Sequence, residues 1–256
     1  MVSKAVAKYV QALHLKKYRQ RHGAFLVEGG KSVDELLRSG LAVEHLLLTA
    51  EFAAQLAPQL RARPAAAPAP VLVSEAELAQ LSTLSTNLTA LAVVRRPPEQ
   101  PLLPTLCQTE LVLALDGVAD PGNLGTLLRL ADWYGLPGVV LGAGCADPFG
   151  PKTVAASMGS FARVPVWERD LAAWLPGLPA GVAVYGADLR GDNVHELALE
   201  PVGVLVMGSE SHGLAPAVAG CLTRRLHIPR HPRGRAESLN VAISAGILLD
   251  NFFRGQ

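Results

Sequence analysis

From Glu110 onward, short apolar runs alternate with stretches of helical spacing, and this alternation constrains the fold more than any other feature. Leu111-Val112-Leu113-Ala114-Leu115 is apolar at every position, as a strand buried on both faces must be. Residues 139–141, 163–166, 182–185, 202–207 and 226–228 read as further strands. Helical spacing falls between them, at 123–134, 153–160, 171–174 and 214–219. Strands and helices in strict succession close most simply as a mainly parallel sheet with helices on both faces, an α/β fold. The last helix, over 238–253, is apolar on most sides and belongs in an interior or an interface.

The first 95 residues form a smaller α/β region. A basic helix is expected over 4–19, a strand at Ala24-Phe25-Leu26-Val27-Glu28-Gly29, a helix over 32–38, a strand at 45–48 and a helix over 51–60. Residues 63–70 are mostly Ala and Pro and cannot hold a regular helix. A strand at 71–73, a helix at 75–81 and a strand at 91–94 complete this region. The segment 96–109, with prolines at 97, 98, 101 and 104, reads as an extended connector, and 110–256 as the second domain.

Half the residues are apolar, which suits a sizeable core. Cys107, Cys145 and Cys221 lie far apart and form no CxxC pair, so the pattern fits a reducing compartment and a cytoplasmic protein. No secretory leader and no membrane span is read in the sequence. The seven histidines show no tight spacing with Asp or Glu, so no metal site is expected. Net charge is only +1, but the positive charge is clustered. Lys4, Lys8, Lys16, Lys17, Arg19 and Arg21 come before Gly23 without an acid, and Arg224, Arg225, Arg230, Arg233 and Arg235 form a second run. Each cluster reads as a polyanion footprint or as a solvated face.

Three loop motifs carry the chemistry. Asp116-Gly117-Val118-Ala119-Asp120-Pro121-Gly122-Asn123-Leu124-Gly125 leaves the end of the first strand of the second domain, where open α/β sheets bind ligands. Asn123 reads as the cap of the next helix, and Arg129 stands opposite its buried stripe. Gly208-Ser209-Glu210-Ser211-His212-Gly213-Leu214 follows a buried strand, with a carboxylate beside a helix start. Glu237-Ser238-Leu239-Asn240 opens the final helix with Ser238 placed as its cap, and the Asn240 amide needs a partner. By chemistry alone, caps, turn glycines and a surface arginine explain these residues as well as a ligand site does. No GxGxxG, GxSxG or P-loop is present.

In this order the three motifs resemble the SpoU family of RNA ribose methyltransferases, of the knotted SPOUT superfamily, over 111–253. The stretch from Lys152 to Gly159, followed by Val164-Pro165-Val166, is also similar to that family. The N-terminal region resembles the small L30-type RNA-binding domain that many members carry. Ser209 and Ser211 stand where relatives often have Asn and Gly.

The resemblance implies a C-terminal domain closed by a deep trefoil knot, S-adenosylmethionine as cofactor, and methyl transfer to a ribose 2′-hydroxyl. The RNA is expected to be structured, ribosomal ahead of transfer RNA. It implies a cofactor site at Gly186, Ala187, Met207, Gly208, Ile228 and Leu239. Arg129 is the implied catalytic residue, supported by Asn123, Glu210, Ser238 and Asn240, and it reaches across a homodimer formed through the last helix. Lys17, Arg19, Arg21, Arg230, Arg233 and Arg235 are the implied phosphate contacts. A transfer-RNA target, a methylated base nitrogen and a catalytically silent RNA-binding scaffold are the alternatives.

Overall fold

The computed structural model describes residues 2–62, 68–84 and 89–254 of the chain. These form two compact units, Met1–Pro98 with Asp147–Arg163, and Glu99–Ala146 with Val164–Gln256. Residues 63–67 of the Ala/Pro-rich stretch lie outside the described residues.

The first unit begins with α1 (Lys4–Ala12) and α2 (Lys16–His22) in place of one helix. The chain breaks because Leu13 is drawn into the core and Leu15 takes an extended backbone to start α2. Gly23, at φ +59°, ends α2 in the left-handed conformation that side chains rarely adopt. β1 (Ala24–Glu28), α3 (Gly30–Arg38), β2 (Val43–Leu48), α4 (Ala50–Gln55) and α5 (Ala57–Ala62) follow. β3 (Val71–Leu72), α6 (Glu75–Leu81) and β4 (Ala90–Arg95) complete this part. The sheet has the order β1-β4-β2-β3, with β3 parallel to β2 and the other pairs antiparallel.

The second unit carries β5 (Leu111–Asp116), α7 (Pro121–Trp133) and β6 (Val139–Leu141). The chain then runs through α8 (Pro151–Ser157), which belongs to the first unit, and returns as β7 (Val166–Glu168). α9 (Leu171–Trp174), β8 (Val184–Asn193), β9 (Gly203–Gly208), α10 (Pro216–Ala219), β10 (Arg224–His227) and α11 (Val241–Phe253) finish it. The six strands lie in the order β10-β8-β9-β5-β6-β7, and every pair is parallel. Leu111, Leu113 and Leu115 pack under α7 and α11, while Val112 and Ala114 pack on the opposite face. Each such fully buried Leu or Val contributes about 1.5–3 kcal/mol, so the sheet is held from both sides.

Between Arg225 and Leu226 the β8–β10 register jumps from Gly186 to Asp192. Residues 187–191 therefore leave the ladder and arch past β10. A Cβ on Gly191 would lie 2.5 Å from the Arg225 carbonyl oxygen, so only glycine permits this crossing. Gly191-Asp192-Asn193 forms the tail of β8.

Residues 147–163 pack with the first unit although the sequence places them between two strands of the second. Phe149 packs on Phe25 at a tilt and Phe161 meets it edge-on, with ring centroids 4.9 and 5.9 Å away. Arg19 is 5% exposed. Its Nε and Nη2 donate to Asp147 Oδ2 at 3.0 and 2.7 Å, and its Nη1 donates to the Leu13 and His14 carbonyls, each at 2.8 Å. Arg19, expected from the sequence to contact RNA, thus makes four donor contacts inside the unit. No helix among the described residues is long and apolar enough to cross a membrane.

Candidate active site

Parallel strands place the C-terminal ends of β5, β9 and β10 on one edge, so the three motif loops share a neighbourhood. Asp116 Oδ2 at the end of β5 accepts the Ala215 N–H at 2.7 Å and ties the first loop to the second. Asp120, not Asn123, caps α7, accepting the Asn123 N–H at 2.8 Å. Asp before a first-turn proline is a helix-start signal, and it wins here. Asn123 thus stands one turn inside the helix with its side chain free for another role.

That role is a shared polar node. Asn123 Nδ2 donates to Glu210 Oε1 at 2.9 Å. Asn240 Nδ2 donates to the same oxygen at 2.8 Å and to Asn123 Oδ1 at 2.9 Å. The Val241 N–H points at Glu210 Oε1 as well, at 3.3 Å. Asn240 Oδ1 accepts from the Ala242 and Ile243 N–H groups, so Asn240 and not Ser238 caps α11. The carboxylate sits at the positive end of α11, where negative charge is favoured. Ser238 is exposed and makes no hydrogen bond with a described residue.

The loop that presents Glu210 is folded tightly. Ser209 and Gly213 exchange both backbone hydrogen bonds, at 3.0 and 2.9 Å, and Ser209 Oγ accepts the His212 N–H at 3.1 Å. A Cβ on Gly208 would lie 2.4 Å from the Gly213 backbone, so a side chain there cannot be housed. Because one oxygen joins three donors, Asn123→Ala and Glu210→Ala are expected to be non-additive. In urea unfolding the double variant should fall short of the summed losses by about 0.5 kcal/mol or more. Simple additivity would mean the node does not hold the loops.

Beside the node lies a cavity of about 720 Å³. Ala187, Met207, Gly208, Ile228 and Leu239 line it, together with Glu210. Gly186 does not line it: its Cα faces Leu222 and Leu214, which a Cβ would meet at 2.4 and 3.1 Å. At the rim Asp188 is held below the ordinary carboxylate range, first by the Arg190 backbone N–H and then by the Arg225 guanidinium paired with it. His227 Nδ1, in the wall, is buried with no hydrogen-bond partner among the described residues. Asp188 had no motif to single it out, and Asp116 opens the first motif without a role assigned to it there. Burial pushes the Cys107 thiol up to about 11 and raises that of Cys145, which removes both as nucleophiles.

Arg129 is exposed on α7 and makes no hydrogen bond or ion pair among the described residues. The single chain therefore does not bring it to the node. In the loop after β10, Arg230 donates to the Ala236 carbonyl at 2.8 Å and closes the loop on itself. Arg233 and Arg235 are exposed there, as are Lys17 and Arg21 on α2. Among the described residues no His, Cys, Asp and Glu side chains gather as a metal site would require.

The SpoU rRNA Methylase family matches residues 110–250, which span all three loops and the cavity. The chain belongs to the SpoU family. An MRM3-like substrate binding domain matches residues 4–92 of this SpoU protein. The 23S rRNA (guanosine(2553)-2′-O)-methyltransferase RlmP of Bacillus subtilis is 36% identical to it over 241 residues, covering 93% of this chain and 91% of that one. A TrmH-family protein from Porphyromonas gingivalis is 39% identical, with a TM-score of 0.86 over 100% of both chains. An S-adenosylmethionine-bound rRNA methyltransferase from Sinorhizobium meliloti is 30% identical, with a TM-score of 0.82 over 99% of this chain and 97% of that one. A small substrate-binding domain comes first, and the parallel C-terminal sheet is typical of the knotted SPOUT fold.

Proposed function

We propose that this SpoU protein transfers a methyl group from S-adenosylmethionine to a ribose 2′-hydroxyl of structured RNA, with ribosomal RNA as the target. The observation that carries this reading is the Asn123–Glu210–Asn240 node built against the cavity. The cavity fits the cofactor. Its volume is that of a small-molecule site, its floor of Met207, Leu226 and Ile228 is apolar, and the orphaned His227 nitrogen offers a polar contact. Ala187, Met207, Gly208, Ile228 and Leu239 would hold the cofactor, which supplies an electrophilic sulfonium methyl group when bound.

The chain's own part is placement. Arg129 orients the ribose by gripping an RNA phosphate, and the fork of a guanidinium suits that task. The guanidinium is already protonated and takes no proton, so an oxygen of the adjacent RNA phosphate accepts the hydroxyl proton as the methyl group leaves the sulfonium. The node fixes the loops that shape the cavity, and Arg233 and Arg235 bind phosphates beyond it. The three free cysteines suit a reducing compartment, and we place the protein in the cytoplasm.

A homodimer completes the site, with Arg129 of one protomer serving the node of the other. The exposed face of α7 and α11 supports this: Trp133 is 84% exposed and Ile243 57%, beside the half-buried Leu130 and Ile247. Ile243→Lys is expected to weaken the dimer by about 100-fold or more, since two copies of the residue lose burial. Sedimentation across a concentration series reads this out, and an unchanged dimer would exclude the α11 face. The activity itself is tested by incubating the protein with labelled S-adenosylmethionine and either ribosomal or transfer RNA. Label in ribosomal RNA is expected; label only in transfer RNA would overturn the assignment of target.

A further inference from the structure

The basic segment at the start of the chain carries more than charge. Four rings line up on the surface of the first unit. Tyr18 lies nearly parallel to His22, one turn further along α2, at 6.4 Å and 25° between planes. His22 meets Tyr9 edge-on at 5.2 Å, and Tyr9 meets His45 edge-on at 6.0 Å. The Tyr9 hydroxyl donates to Glu44 Oε2 at 2.8 Å, and Glu44 is also paired with Arg95, so the middle of the row is anchored. At the other end the rings are open: His22 is exposed and Tyr18 half-buried. Lys17 places its Nζ 4.9 Å from the Tyr18 ring centroid, and Lys16 and Arg21 are exposed on the same short helix. Leu15, 53% exposed, precedes them.

Phosphates alone would need only the cations. Partly exposed rings interleaved with cations, with no acid on α1 or α2, fit a strand whose bases are unpaired, because only such bases offer a face to stack on. We propose that Tyr18 and His22 form a stacking platform for one unpaired nucleobase of the RNA, with Lys16, Lys17 and Arg21 holding the flanking phosphates. The site thus selects a looped or single-stranded element over a continuous duplex. The proposal rests on the RNA reading above and narrows it to that substrate class.

The test uses the full chain, a 12-nucleotide oligoadenylate, and a blunt RNA duplex of equal length, with binding followed by fluorescence anisotropy. The oligoadenylate is expected to bind more tightly than the duplex. Tyr18→Ala should weaken oligoadenylate binding by about 5-fold to 100-fold and leave duplex binding unchanged, while Tyr18→Phe retains the wild-type value. Lys17→Ala with Arg21→Ala should flatten the salt dependence of binding, which Tyr18→Ala leaves alone. Unchanged thermal melting of Tyr18→Ala excludes a folding defect, and rescue by phenylalanine makes the same point independently. Equal binding of duplex and oligoadenylate, or wild-type affinity in Tyr18→Ala, would overturn the platform. Calorimetry of S-adenosylmethionine on the same samples reports separately on the methyltransferase reading, so each can fail without the other.

Discussion

Replacing Arg129 with alanine is expected to lower methyl transfer by about 10²–10³-fold, the usual effect of removing one oriented charge from a reacting group. Affinity for S-adenosylmethionine, measured by calorimetry, should stay close to that of the unaltered protein, because Arg129 is not among the residues lining the cavity. Arg129→Lys keeps the charge and loses the fork, so it should recover only part of the rate. The proposed dimer, in which each site draws on both protomers, gives a sharper form of the test. Mixing Arg129→Ala protein with Asn123→Ala protein should restore activity in the heterodimers, since one of their two sites carries both wild-type residues. Full activity of Arg129→Ala alone would remove this arginine from the mechanism.

Arg19→Met is expected to destabilise the protein by about 3–5 kcal/mol, because Asp147 would be left as an uncompensated and mostly buried charge. Urea unfolding followed through the first unit would show it. Adding Asp147→Leu should recover most of the loss, since an apolar pair of similar volume can replace a buried ion pair. If Arg19→Met were neutral in stability and reduced RNA affinity instead, Arg19 would be a phosphate contact after all.

Much of the second unit was legible in the sequence because its strands are buried on both faces. An unbroken apolar run such as 111–115 has few other places to go. The order of the strands was not legible from periodicity, which names no pairing partner, and β10 pairs with β8 on both sides of the jump at residues 187–191. Helix starts were misplaced where two capping residues competed. Asp120 and Asn123 both suit a cap, as do Ser238 and Asn240, and only the position of Glu210 in space decides between them. Asn240 did need a partner, and it has three: Glu210, Asn123 and the start of α11.

Arg19 looked like its basic neighbours because its partner, Asp147, lies 128 residues away. The same distance hid the allegiance of residues 147–163, whose apolar side chains meet Phe25 and not the sheet that flanks them in sequence. Exposure of Arg129, by contrast, followed directly from helical spacing against Leu124, Leu127, Leu128 and Ala131.

Mass spectrometry of nucleosides from ribosomal RNA treated with the protein and S-adenosylmethionine tests the central claim most directly. Ribose-methylated nucleoside is the expected product, present with the unaltered protein and nearly absent with Arg129→Ala. A methyl group found on a base, or no methylation by a protein that binds both cofactor and RNA, would contradict it.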